Sequence, residues 1–295
     1  MKRAYLFPGQ GSQYVGMGSD HYDSDAEFAE LADEANRILG FDLTSIMFEG
    51  PDEKLQQTEY TQPAIFLHSV GLYRTLNTHP DMVAGHSLGE FSALAASGAV
   101  EFDEALKIVR KRGQLMQQAG EQHPGTMAAI IGMEDNTVET VCREATEATG
   151  KEVVPANYNC PGQLVISGDI DAVEKAVELA KDKGCRLAKV LPVSGAFHSS
   201  LMQPAYDGLS RELETLAINE PECPVYSNYK AEPTIDPEEI RSNLLNQMLN
   251  PVRWTQTLEH MFKNGATIFI EVGPGKVLQG LVKRTLKGVE IEGYQ

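Results

Sequence analysis

The sequence has no run of about 18 apolar residues, so it predicts no membrane-spanning helix. It also has no CxxC pair. Cys142, Cys160, Cys185 and Cys223 are widely separated, unlike the cysteines of a disulfide framework or a zinc knuckle. Met1 to Gly9 carry Lys2 and Arg3 but no long apolar stretch before a small-residue cleavage site, so no secretory signal is expected. Cations are scarce, at 25 Lys and Arg against 42 Asp and Glu, a formal charge of −17. That balance has the wrong sign for a general nucleic-acid binder, which must neutralise phosphates. It leaves room for a local basic pocket. These absences lead us to expect a soluble protein of a reducing cytoplasm, with neither nucleic acid nor membrane as partner.

What is present is ordinary for a folded protein: 295 residues, 42% hydrophobic and 23% charged, enough to bury a substantial core. Short apolar runs alternate with helical periodicities, the pattern of an α/β fold. Ala4 to Phe7 reads as a buried strand that enters the loop Pro8-Gly9-Gln10-Gly11-Ser12. Asp25 to Leu39 has helical spacing. Thr61 to Leu76 reads as a helix with Thr61 as N-cap and Pro63 in its first turn. Asp81 to Gly85 is a short strand, followed by a small-residue helix and by another from Phe102 to Ala119.

After Pro124-Gly125 the order becomes strand, helix, strand, strand, helix, strand up to Leu191. That βαββαβ order is ferredoxin-like and reads as a subdomain over residues 125–191, inserted into a core made of 1–124 and 192–295. The core pattern then resumes, through a strand at Ala266 to Val272 and a last helix from Lys276 to Leu286.

Gly85-His86-Ser87-Leu88-Gly89 matches GxSxG, between an apolar strand and a small-residue helix. A sharp strand-to-helix turn leaves little room beside the serine, and glycine two residues to either side relieves the crowding and exposes Ser87 Oγ. This motif makes the core α/β-hydrolase-like, with a short parallel sheet. The following helix N-terminus points backbone N–H groups at the same spot, where an oxyanion would form. The His86 side chain should point away from the hydroxyl. Of the seven histidines, His198 lies in the small-residue loop Val193 to Ser199, between a strand end and a helix start, where catalytic groups on such scaffolds sit. Position alone leaves its role open. No acidic residue presents itself as a third member between Ser87 and His198, which weakens an esterase or lipase reading.

Six segments occur in order: Phe7-Pro8-Gly9-Gln10-Gly11-Ser12-Gln13, Gly85 to Glu90, Lys111-Arg112-Gly113, Gly195 to Ser199, Asn246 to Trp254 and Glu271 to Gly275. Together they resemble the malonyl-CoA:acyl-carrier-protein transacylases and the related acyltransferase domains of polyketide synthases, over essentially the whole chain. The resemblance implies ping-pong transfer of malonyl from CoA to the phosphopantetheine thiol of acyl carrier protein, through malonyl-Ser87, in fatty acid synthesis. It implies His198 as general base and acid, oriented by the backbone carbonyl of Gln247, which accounts for the missing acid. It also implies an oxyanion hole from the N–H groups of Leu88 and Gln10.

Arg112 would hold the malonyl carboxylate, a role that composition alone does not distinguish from a solvated helix charge. Phe197 would crowd the acyl α-carbon and favour malonyl over methylmalonyl. Asn157 and Asn159 match amide positions near the acyl pocket and equally suit turns of the insertion. No metal or other cofactor is implied, because CoA is part of the substrate and product. The family relationship suggests a monomer.

Three other readings compete. A malonyl-loading enzyme for a polyketide carrier shares every segment above. A hydrolase clearing stalled acyl groups would gain ground if Arg112 faced away from Ser87. An interaction protein would have no use for Ser87, His198, Arg112 and Gln247 together. Because CoA and carrier proteins are anions, some cations should gather at the cleft mouth. Lys107, Lys111, Lys189, Lys276, Lys283 and Arg284 are the candidates.

Overall fold

Ten strands form two sheets in the computed structural model, which describes residues 1–295. In chain order they are β1 (Lys2–Phe7), β2 (Met82–Gly85), β3 (Gly125–Ile131), β4 (Val153–Cys160), β5 (Gln163–Asp169), β6 (Leu187–Val190), β7 (Val225–Tyr226), β8 (Pro233–Thr234), β9 (Ala266–Val272) and β10 (Glu290–Tyr294). The first sheet has the order β10-β9-β1-β2-β7-β8. Its pairs are parallel except β7 with β8. The second sheet, β4-β5-β3-β6, is antiparallel throughout.

Helices cover both faces of the first sheet, which explains why β1 is a continuous apolar run instead of an alternation. Tyr5 and Phe7 belong to a cluster of 49 buried residues, while Ala4 and Leu6 belong to a second cluster of 16. Strand β9 divides in the same way, with Ile268 and Ile270 on one side and Phe269 on the other. Each side chain of that size contributes about 1.5–3 kcal/mol on full burial.

The second sheet has a core of its own, 16 buried residues from Ala128 to Ala188, under helices Asp135–Thr149 and Ile170–Asp182. Met127 and Val165 point the other way and join the large cluster. One face of this sheet therefore closes its own core and the opposite face packs against the first sheet's layer.

Helix boundaries agree with the sequence reading to within a few residues, with one informative departure. The helix expected from Thr61 runs Thr58–Arg74, with Gln57 at the N-cap position. Thr61 lies inside it, and its hydroxyl donates to the carbonyls of Leu55 and Gln57. Pro63 therefore falls past the first turn, where its missing N–H frees the Glu59 carbonyl. Arg110 satisfies that carbonyl and pairs with Glu59 Oε2 at 2.7 Å. The earlier start follows from tertiary packing: Gly113 lets helix Phe102–Gln122 approach so closely that a Cβ there would lie 2.7 Å from the Thr58 carbonyl oxygen. The sequence reading also missed the short helices Ser19–Ser24, Leu43–Phe48 and Asp52–Leu55, and the edge strands β8 and β10. Their residues are too few or too polar to carry a periodic signal. No helix is long and apolar enough to cross a membrane.

Candidate active site

Loops leaving the carboxyl ends of adjacent strands β1 and β2 meet in one crevice, the usual ligand position on an open parallel sheet. The β2 loop is the sharper. Ser87 has φ of 51°, in the left-handed region that costs a non-glycine residue about 1–2 kcal/mol. A Cβ on Gly85 would lie 1.8 Å from the Gly89 carbonyl, and one on Gly89 would lie 2.1 Å from the Phe7 carbonyl oxygen. Both flanking glycines are thus sterically required. The Ser87 N–H donates to Asn228 Oδ1 at 2.6 Å, and Asn228 Nδ2 donates to the Gly85 carbonyl at 2.7 Å, which ties the turn to the end of β7.

The structure brings His198 to the serine. Its Nε2 lies 2.9 Å from Ser87 Oγ, and its Nδ1 lies 2.8 Å from the backbone carbonyl of Gln247. A carbonyl only accepts, so Nδ1 carries the proton and Nε2 is free to accept from the hydroxyl. His198 too has positive φ, 59°. Burial pulls it down to about 3, against the Gln247 hydrogen bond, which raises it. The imidazole is accordingly neutral near pH 7.

Arg112 is 1% exposed and reaches the same point from helix Phe102–Gln122. Its Nη2 donates to Ser87 Oγ at 3.1 Å and to Gln247 Oε1 at 3.0 Å, while Nη1 donates to Gln62 Oε1 at 2.8 Å. Two amide oxygens thus aim a buried cation at the Ser87 hydroxyl. Burial lowers it to about 10, so it stays charged.

Gln247 works from both ends. Its Nε2 donates to the Ser87 carbonyl at 3.1 Å and to Glu90 Oε2 at 2.6 Å. Phe197 lines the cleft wall with Met116, Met127 and Val165, and Leu88 and Gln10 line its floor. Gln10 Nε2 donates to Thr58 Oγ1 at 3.3 Å, and Thr58 Oγ1 lies 3.0 Å from Ser194 Oγ, which links the β1 loop to the segment before His198.

Asn157 and Asn159 also reach the cleft, in different ways. Asn159 Oδ1 meets His86 Nε2 at 2.8 Å, and the His86 ring packs on Trp254, away from the Ser87 hydroxyl. Asn157, buried on β4, bridges to Val252. Of the expected cations only Arg284 lines the cleft, where it donates to Gln163 Oε1 at 2.6 Å. Lys107 is paired with Glu104 at 2.8 Å, and Lys111 faces Glu212 at 3.8 Å. Lys276 and Lys283 line a separate shallow groove. No cluster of His, Cys, Asp and Glu suited to a metal ion is present.

The acyl transferase domain model matches residues 4–294. The chain belongs to this family. Among curated acyl transferases, the malonyl CoA-acyl carrier protein transacylase of Bacillus subtilis is 44% identical over 286 residues, 96% of this chain and 90% of that protein. A crystal structure of an acyl carrier protein S-malonyltransferase from Vibrio cholerae superposes with a TM-score of 0.95 at 44% identity, covering 100% of this chain and 97% of that one. A malonyl-transacylase solved in complex with its type II PKS acyl-carrier protein superposes with a TM-score of 0.94 at 39% identity, covering 99% of this chain and 95% of that one.

For this acyl transferase chain, sequence reasoning missed three residues that build the site. Glu90 stands in the recognised Gly85 to Glu90 segment without an assigned role. Asn228 follows β7, and a polar residue at the carboxyl end of a parallel strand is a signal that was available. Gln62 lies within an almost wholly buried helix, and only its contact with Arg112 distinguishes it.

Proposed function

We propose that this chain transfers the malonyl group from malonyl-CoA to the phosphopantetheine thiol of acyl carrier protein by a ping-pong route through malonyl-Ser87, supplying fatty acid synthesis. One observation carries this reading. Arg112, buried and charged, donates to Ser87 Oγ at 3.1 Å, so an acyl group on that oxygen has a guanidinium fork within reach of a distal carboxylate. An acetyl group would offer that fork no carboxylate.

The chemistry follows from the geometry. His198 Nε2 takes the Ser87 proton as Oγ attacks the thioester carbonyl, the C–S bond breaks, and the proton passes to the departing CoA sulfur. The carrier thiol then reverses the steps. Gln247 holds the imidazole through its carbonyl, a neutral substitute for a triad acid. Leu88 and Gln10 supply the oxyanion donors in this reading, and neither N–H is engaged in a turn or cap hydrogen bond.

Phe197 narrows the pocket at the acyl α-carbon, and Asn157 and Asn159 line its far side. The reading uses no metal and no cofactor beyond the CoA that enters with the substrate. This reading takes the chain to act as a monomer. Residues 1–124 and 192–295 form, in this view, an α/β-hydrolase-like core carrying a ferredoxin-like subdomain at 125–191. The strand order β4-β5-β3-β6 supports that description.

Intact mass spectrometry tests the reading: malonyl-CoA should add one malonyl group to the wild-type protein and none to Ser87→Ala. Addition of acyl carrier protein should move the group to the carrier. Release of free malonate instead would favour a hydrolase, against which the Arg112–Ser87 contact weighs. Equal use of fatty-acid and polyketide carriers would remove the pathway assignment and leave the chemistry intact.

A further inference from the structure

One fully buried acid lies behind the site without a part in the acyl transfer. Glu90 is 2% exposed, on helix Gly89–Ala96. Its Oε2 accepts from Gln247 Nε2 at 2.6 Å and from the Asn228 N–H at 3.1 Å. The same Gln247 amide presents Oε1 to Arg112 Nη2 at 3.0 Å. A single amide therefore bridges a buried carboxyl and a buried guanidinium. The other buried carboxyl, Glu271, is occupied elsewhere, accepting from the N–H groups of Leu278 and Gln279.

The substrate carboxylate changes the charge count. One guanidinium with one carboxylate is balanced, but a second carboxylate on the same guanidinium leaves the site with a surplus negative charge at low dielectric. Like charges sharing a site cannot both stay ionised cheaply, and a proton is the usual remedy. We propose that Glu90 is the resident counter-charge of Arg112 and that it takes up one proton from solvent when the malonyl carboxylate docks on that guanidinium. This rests on malonyl binding at Arg112.

Glu90 is poised for the exchange. Burial pushes its carboxyl up to about 7, while its hydrogen bonds from Asn228 and Gln247 and the Arg112 charge pull it down. Of the groups that face it, Arg112 supplies the charge, and Gln247 and Asn228 are neutral. The neighbouring helix Thr58–Arg74 presents the neutral Gln62 to Arg112. The other titratable groups of the site, His86 and His198, are both driven toward neutrality by burial. Acylation itself is proton-neutral while the CoA thiol stays protonated, because the Ser87 proton ends on sulfur. Any net uptake therefore belongs to the site.

The experiment mixes wild-type protein with malonyl-CoA or acetyl-CoA, without carrier protein, in weakly buffered solution with a pH indicator between pH 7 and 8. Adducts are counted by intact mass in the same samples. The wild type should take up more protons per malonyl adduct than per acetyl adduct, the excess approaching one, and Glu90→Gln should show no excess. The apparent malonyl-CoA dissociation constant of the wild type should rise by up to about tenfold per pH unit above 7, the slope of one linked proton. That of Glu90→Gln should stay flat.

Equal proton counts for the two donors in the wild type overturn the proposal. So does an excess that survives in Glu90→Gln, which would move the proton to His198. Absence of any malonyl adduct is a different failure, that of the malonyl reading itself. If Glu90→Gln does not fold, infrared difference spectra of the wild type decide, with ¹³C-labelled malonyl-CoA moving the substrate bands aside. A new protonated-carboxyl band on malonylation but not acetylation supports the assignment, and its absence refutes it.

Discussion

Arg112 donates to Ser87 Oγ across 3.1 Å, so the cation that would read the substrate and the atom that would attack it are in direct contact. Two amides, Gln62 and Gln247, fix the guanidinium in that position.

Replacing Arg112 should therefore change selectivity as well as rate. Arg112→Ala should lower kcat/KM for malonyl-CoA by about 10²–10³, the usual loss when one partner of a buried charge pair is removed. Acetyl-CoA should lose much less, so the ratio between donors shifts toward acetyl. Arg112→Lys should recover little, because an ammonium cannot span Gln62, Gln247 and the acyl carboxylate at once. Equal losses for both donors would show that Arg112 only holds the fold.

His198 is neutral well below pH 7, because burial pulls it down to about 3. The single-turnover rate of acylation by acetyl-CoA, a donor without a distal carboxylate, should thus show no fall near 6.5 as pH drops from 7.5 to 5.5. His198→Ala should cost about 10²–10⁴ in that rate across the whole range. A wild-type rate that halves near pH 6.5 would contradict this environment for the imidazole.

A second histidine should appear in stability. His68 is buried, neither ring nitrogen has a partner, and burial pulls it down to about 3 from 6.5. The unfolded chain binds a proton there below 6.5 and the folded chain does not until about 3, so the stability present above 6.5 is lost as pH falls through that window. His198 acts in the same direction. Glu90 acts oppositely: its folded value of about 7 exceeds its unfolded one, so it takes stability away as pH rises toward 7. Well inside the window one histidine accounts for about 1.4 kcal/mol per pH unit. His68→Leu should flatten the pH dependence of the urea unfolding free energy by about that slope between pH 6 and 4. An unchanged slope would count against it.

The serine turn gives the fourth test. A Cβ at Gly89 would meet the Phe7 carbonyl oxygen at 2.1 Å, and backbone cannot move aside as a side chain can. Gly89→Ala should destabilise the protein by about 2–4 kcal/mol, read as a lower urea midpoint, and should abolish malonyl adduct formation in what remains folded. Gly150→Ala is the control. Its Cβ would meet nothing, leaving only the strain of a φ of 67°, and adduct formation should persist.

Much of the fold was legible because its signals are local. The apolar run Ala4 to Phe7, the glycines around Ser87 and the change of rhythm after Gly125 each rest on a few adjacent residues. Where long-range packing decided, the reading slipped: the start of helix Thr58–Arg74 depends on Gly113, more than fifty residues away, letting another helix close on it. Edge strand β10 gave no apolar pattern, since only one side of it is paired.

The sequence by itself determined the class of fold, the sharp turn that exposes Ser87, and the family to which its ordered segments belong. Whether Arg112 was a solvated helix charge or a buried one could not be decided there, because its neighbours Gln62 and Gln247 lie on other helices. Apart from the family resemblance, nothing in the residue pattern says what orients His198. That partner is a backbone carbonyl, and every residue has one, so no side chain marks it. Only the tertiary structure puts Gln247's carbonyl 2.8 Å from the imidazole and its amide between Arg112 and Glu90. A charge network is a property of distance and burial, and both arise when segments remote in the chain are packed together.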